Sequence, residues 1–137
     1  MNEHSYIRSV NRHKTKDLYY WKINDNFAGG VPDSFYEGDA RDLYVEYKYI
    51  KPFPKRPVTI IDLTDTKKYL SSNQQRWLLR RHIRRGDAWV IAGCEHGGVI
   101  FRDLSWQTPI SASDFLSRCL PPKELFQQIH TYCTKSQ

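Results

Sequence analysis

Apolar and polar positions change period several times along this chain, and each change marks an element. Tyr6, Ile7 and Val10 fall on one side of a short helix predicted over 3–14. "DLYYWKI" (17–23) is aromatic and β-branched and reads as a strand. "NDNFAGG" (24–30) follows as a loop by its Asn, Asp and Gly content; Asn24 and Asn26 are suited to satisfying loop backbone. A hairpin comes next, with "DSFYE" and "DLYVEYKYI" flanking a four-residue turn "GDAR". "KPFPKRP" (51–57) is a proline loop, and "VTIID" (58–62) a further short extended segment. Ser71 or Ser72 caps a helix that runs to about Arg85 and stops at Gly86, with Trp77, Leu78 and the Arg81 stem turned inward. "AWVIAGC" (88–94) is a strand buried on both faces, "GGVIF" (98–102) the last strand. "SASDFLSRCL" is a short helix, and Pro121-Pro122 opens another through about Cys133. Helix, three strands, helix, two strands and terminal helices make an α/β sandwich on a mixed sheet.

Composition narrows the class. At 137 residues with 39% apolar and 14% aromatic content, one domain with one core is expected over 1–137. No apolar run approaches the ~18 residues of a membrane span, and "MNEHSYIRSVNRHK" lacks a signal-peptide core, so a cytoplasmic protein is expected. Cys94, Cys119 and Cys133 are odd in number and widely spaced, which reads as reduced thiols. Cys94-Glu95-His96 and His130/Cys133 each supply only part of a closed zinc site. The net charge of +6 is concentrated in "RWLLRRHIRR" and "KPFPKRP", which favours a polyanionic partner.

The hairpin carries the chemistry. If Glu37 pairs with Asp42, Phe35 lies opposite Tyr44 and Asp33 opposite Glu46. Like charges so placed cost up to ~1 kcal/mol, and Lys48 shares the face at i+2. Singly, Asp33 reads as a turn cap and Glu46 or Lys48 as a solvated strand position; together they require an explanation. Two carboxylates on neighbouring strands, with the Tyr47 carbonyl between Glu46 and Lys48, offer hard oxygen ligands to Mg²⁺ or Mn²⁺. Such an ion cancels the repulsion, polarises a phosphate and acidifies water. Lys48 is placed to orient or deprotonate that water, or to neutralise transition-state charge. Phosphodiester hydrolysis is the predicted reaction.

Asp33 after Gly30-Val31-Pro32, then Glu46-Tyr47-Lys48, resembles the PD-(D/E)XK nuclease signature. More narrowly, "GGVPD…YVEYK…LSSNQQRWLLRRHIRRGDAWVIA" is similar to the virus-type replication-repair nuclease domain, VRR-NUC, over about residues 3–103. The resemblance implies a restriction-endonuclease-like αβββαβ core with a mixed central sheet, followed by C-terminal helices. It implies Asp33 and Glu46 as metal ligands, Lys48 as the catalytic lysine, and Gln74 (Gln75 being one step off) as the glutamine that steadies the site. A first-helix glutamate turned toward the hydrated metal is also implied, and only Glu3 fits. Residues 104–137 fall outside the resemblance and are left to cover a sheet edge or build a dimer contact.

Stand-alone members of this kind resemble phage- or bacterium-encoded enzymes, which implies DNA as partner, branched or duplex. A homodimer would set two sites on opposite strands of a Holliday junction; a lone domain suits nicks or flaps. Arg76, Arg80 and Arg84 on the outer face of the second helix, and Lys22 on the first strand, are the candidate phosphate contacts. Tyr36 and Phe53 stand where bases could stack, but core packing is the simpler reading, as it is for Tyr44, Tyr47 and Tyr49. The alternative reading is a nucleic-acid-binding module that keeps the fold without the chemistry.

Overall fold

The computed structural model describes residues 1–24 and 29–135; the reading of Asn26 falls outside them. Helix α1 spans Glu3–Asn11 and starts at a reciprocal cap between Asn2 and Ser5. Strands β1 (Tyr19–Lys22), β2 (Ser34–Glu37) and β3 (Asp42–Tyr49) follow. The first helix is shorter than the predicted 3–14, and β1 shorter than 17–23, because β2 offers β1 a ladder only four residues long. Helix α2 spans Ser72–Arg84 with Ser71 as its cap. Strand β5 is Ala88–Cys94, buried at every position as its unbroken apolar run predicts, and β6 is Gly97–Arg102.

The main sheet has the order β1-β2-β3-β5-β6, all neighbours antiparallel except β3 and β5. "VTIID" forms only a two-residue strand, β4 (Ile60–Ile61), and it does not join this sheet. It pairs with β7 (Ile110–Ser111), so β6 is not the last strand of the chain. The small sheet ties the proline loop to helix α3 (Ala112–Arg118), through bonds from the Ala112 amide to Thr59 and from the Ser113 amide to Pro57.

Alternation along β3 and β5 sorts side chains onto two cores. Ala88, Val90 and Ala92 face Leu78 of α2 and Phe115 of α3. Val45, Tyr47, Trp89 and Ile91 face Tyr6, Ile7 and Val10 of α1 and Leu125, Phe126 and Ile129 of α4 (Pro122–Thr134). Residues after 103 therefore do two things. Leu120 exchanges both backbone bonds with Gly98 on edge strand β6, and α4 then crosses a face of the sheet. Cys133 at its end accepts from the Ala40 and Arg41 amides in the hairpin turn. Only glycine fits at 38, since a Cβ there would lie 2.5 Å from the Cys133 carbonyl oxygen. Tyr36 and Phe53 are core residues, as is Tyr47, while Tyr44 and Tyr49 are half-buried. Among the described residues no helix is long and apolar enough to cross a membrane.

Candidate active site

The hairpin register is the one the turn length predicts: Glu37 opposite Asp42, Phe35 opposite Tyr44, Ser34 opposite Val45. Asp33, one residue before β2, therefore stands opposite Glu46. Its carbonyl accepts from the Ile23 amide at 2.8 Å, which ties it to β1. The Gly29-Gly30-Val31-Pro32 run lets the chain enter this position against α2. Gly30 has φ +80°, and a Cβ there would lie 2.3 Å from the Asn73 carbonyl oxygen, so glycine alone permits the approach.

Three carboxylates from three elements meet at this end of the sheet. Glu3, Asp33 and Glu46 each place an oxygen within 4.8 Å of the other two. Glu46 is 3% exposed, and its Oε2 receives both the Lys48 ammonium at 3.3 Å and the Gln74 side-chain amide at 3.2 Å. Gln74 is itself held: its Oε1 accepts from the Ser71 backbone amide at 2.9 Å while its backbone amide donates to the Ser71 hydroxyl. One residue thus closes the helix cap and steadies the acid. Gln75 is turned elsewhere, donating to the Thr64 and Leu70 carbonyls at 2.9 Å each.

Electrostatics match the crowding. Burial, and after it the Glu3 charge, pushes Asp33 up to about 7, with the Ser34 hydroxyl, the Tyr47 amide and Lys48 acting the other way. Burial and then the Asp33 charge push Glu46 up to about 8 against the pull of Lys48. Glu3 is raised by burial, opposed by Lys48 and His4. Three acids share one lysine, so the site is short of positive charge. Asp33 Oδ1 is buried with no hydrogen-bond partner among the described residues. A hard divalent cation answers both deficits, and the all-oxygen donor set fits one. Tyr44 and Ile50 send their amides toward β5, so alternation turns the Tyr47 amide and carbonyl to the other side, beside Asp33 and beyond the start of the β2 ladder.

The structure thus brings together Glu3, Asp33, Glu46, Lys48 and Gln74, with the Tyr47 backbone among them. The candidate phosphate contacts lie outside this cluster. Lys22 is exposed and alternates onto the opposite face of β1 from the carboxylates. Arg76, Arg80 and Arg84 are exposed along α2, Arg84 about 15 Å along the helix from Gln74. Arg76 donates to the Asn73 side chain. Two neighbours escaped the sequence reading. Ser34, fully buried beside Asp33, has no distinguishing signal in sequence. Trp21 lies opposite Phe35 on the carboxylate face and is 60% exposed, which the alternation of β1 could have revealed.

Comparison with protein-family models and with curated proteins yields no match. Among solved structures the chain is similar to Hjc, a Holliday junction resolvase from the archaeal hyperthermophile Archaeoglobus fulgidus. The two share 14% identity at a TM-score of 0.52, over 92% of this chain and 96% of that one. The mixed α/β fold of this chain, with a five-stranded central sheet and C-terminal helices, is thus one that a resolvase also adopts.

Proposed function

We propose that this chain is a divalent-metal-dependent DNA nuclease of the PD-(D/E)XK type, close to VRR-NUC, that hydrolyses phosphodiester bonds in branched DNA. The observation that carries the reading is the meeting of Glu3, Asp33 and Glu46 within 4.8 Å, with Lys48 3.3 Å from Glu46 and a buried Asp33 oxygen lacking a donor. The fold shared with a junction resolvase supports it.

In this reading Asp33, Glu46 and the Tyr47 carbonyl would hold Mg²⁺ or Mn²⁺. Once bound, the ion would supply Lewis acidity at the phosphate and lower the pKa of water. Lys48 presents its ammonium to the same space, where it orients the attacking water and balances charge developing on the phosphoryl oxygens. Water adds to phosphorus as the bond to one ester oxygen breaks, leaving an alcohol and a phosphomonoester. Glu3 orients water from the opposite side of the cluster, and Gln74 keeps Glu46 in place. The +6 charge draws DNA to the protein. Symmetric cutting of a four-way junction takes two such sites and therefore a homodimer; a flap takes one.

The test incubates the protein with end-labelled duplex, flap, single-stranded and four-way-junction DNA in Mg²⁺, Mn²⁺ and EDTA, beside Lys48→Ala. Cutting that needs the metal and drops at least 100-fold in the variant is expected. Binding without cutting, alike in both proteins, would overturn the nuclease and leave a binding module.

A further inference from the structure

The carboxylates do not occupy their sheet face alone. One pleat along, directly paired residues of three strands form an aromatic row: Trp21 opposite Phe35, Phe35 opposite Tyr44. Phe35 and Tyr44 ring centroids are 5.0 Å apart, and Trp77 of α2 meets Tyr44 edge-on at 5.1 Å. Arg81 lies over the Tyr44 ring at 5.0 Å while its guanidinium is held by Asp87, so that ring is fixed in place. The outer end of the row is open. Trp21 is 60% exposed, Phe35 half-buried, and both line a cleft of about 540 Å³ with Tyr44 and Val31. Single exposed hydrophobes need no explanation, but a contiguous row of rings beside a candidate active site does.

We infer that this row is a stacking platform for an unpaired DNA base next to the scissile phosphate, which makes the substrate a flap or other junction with single-stranded character. The inference rests on the nuclease reading and names its substrate. Three observations favour a nucleotide over a second copy of the chain. The platform continues into the carboxylate row, since Phe35 is two residues from Asp33 and Tyr44 two from Glu46. That places ring and acids about 7 Å apart, comparable to one nucleotide of an extended strand. Asn73, Trp77, Arg80 and Arg84 form one stripe on α2 at i, i+4, i+7, i+11, and Asn73 lies against Gly29 and Gly30 in the run that leads to Asp33. Arg80 and Arg84 extend that stripe beyond Trp77, which meets the Tyr44 ring, as an exposed basic border. Such a border suits phosphates, and it opposes docking of a second chain carrying the same +6. Rings flanked by cations are how single strands are held without sequence preference.

The experiment is a cycle between protein and DNA. Wild type, Trp21→Ala and Trp21→Phe bind, in EDTA at low salt, a flap substrate whose first unpaired nucleotide is either normal or abasic. Removing the base is expected to weaken wild-type binding about tenfold, to weaken Trp21→Phe to a similar extent, and to change Trp21→Ala less than twofold. An equal loss in wild type and Trp21→Ala would overturn the platform while wild-type cutting in Mg²⁺ leaves the nuclease standing. Failure of wild type to bind or cut any DNA would overturn both. Sedimentation on the same samples covers the other occupant: a wild-type dimer that becomes monomeric as Trp21→Ala assigns the row to self-association and overturns the inference.

Discussion

Glu46 and Asp33 are held in a state that the folded chain alone does not favour. Each loses hydration on burial and faces another acid, and a single lysine serves both. Both carboxyls bind their protons more tightly folded than unfolded. The folded state therefore carries more protons between about pH 4 and pH 8, and its stability falls as pH rises through that window. In EDTA the Tm is expected to drop from pH 5 to pH 8. Asp33→Asn, which keeps the shape and removes one charge, should flatten that slope and raise stability at pH 8 by on the order of 1–2 kcal/mol. Mg²⁺ should raise the wild-type Tm more at pH 8 than at pH 6, because protons compete for the same oxygens. A Tm in EDTA with the same pH slope in wild type and Asp33→Asn would remove the strained acid pair from consideration.

At the scale of elements, the site is made by three ends gathered on β3, which carries Glu46 and Lys48: the N-terminus of α1, the entry to β2 and the N-terminus of α2. How much of this is legible in sequence differs by end. The hairpin was readable because a four-residue turn leaves one register, and that register alone brings Asp33 opposite Glu46. The Ser71 cap was readable as one of two serines, but that Gln74 rather than Gln75 reaches Glu46 depends on the helix rotation, which only packing sets. Glu3 was reached through the family resemblance; no pattern in residues 1–14 says that α1 ends beside the hairpin. Strand β7 was missed, and β4 was legible only as an extended segment over 58–62 with no partner, because two residues carry no periodicity. The two glutamines separate site from scaffold in a direct way. Gln74→Ala should lower activity roughly 10- to 100-fold, the range for loss of a partner that orients a metal-ligating group. Gln75→Ala should instead cost about 1–2 kcal/mol, since it orphans the Thr64 and Leu70 carbonyls, with activity largely kept. Urea midpoints and initial cutting rates measured side by side check both, and a reversal of the two profiles would exchange their roles.

For the molecule as a whole, the question is what keeps those three ends in one place. The sheet is rigid only if both faces are covered, and the face carrying Val45, Tyr47 and Ile91 is shared between α1 and α4. Helix α1 has just nine residues, too short to hold itself in water, so its position depends on α4, which it contacts directly. The sequence shows that α4 is amphipathic without showing which surface it covers. A C-terminal helix lying outside a family resemblance could equally have been an appendage. The structure ties it in at both ends, through Leu120 on Gly98 and through Arg41, which donates to the Tyr132 carbonyl at 2.8 Å. Ile129 is fully buried between these anchors. Ile129→Ala should therefore destabilise the fold by roughly 2–5 kcal/mol, a fall in Tm of about 10 °C for a chain of this size. Because Glu3 rides on α1, the same variant should lose Mg²⁺-induced stabilisation below its new Tm more steeply than a core variant on the other face, such as Phe115→Leu. Thermal melts with and without Mg²⁺ provide the comparison. If Ile129→Ala melts like wild type, α4 is an appendage after all, and the placement of Glu3 must come from α1 and the sheet alone.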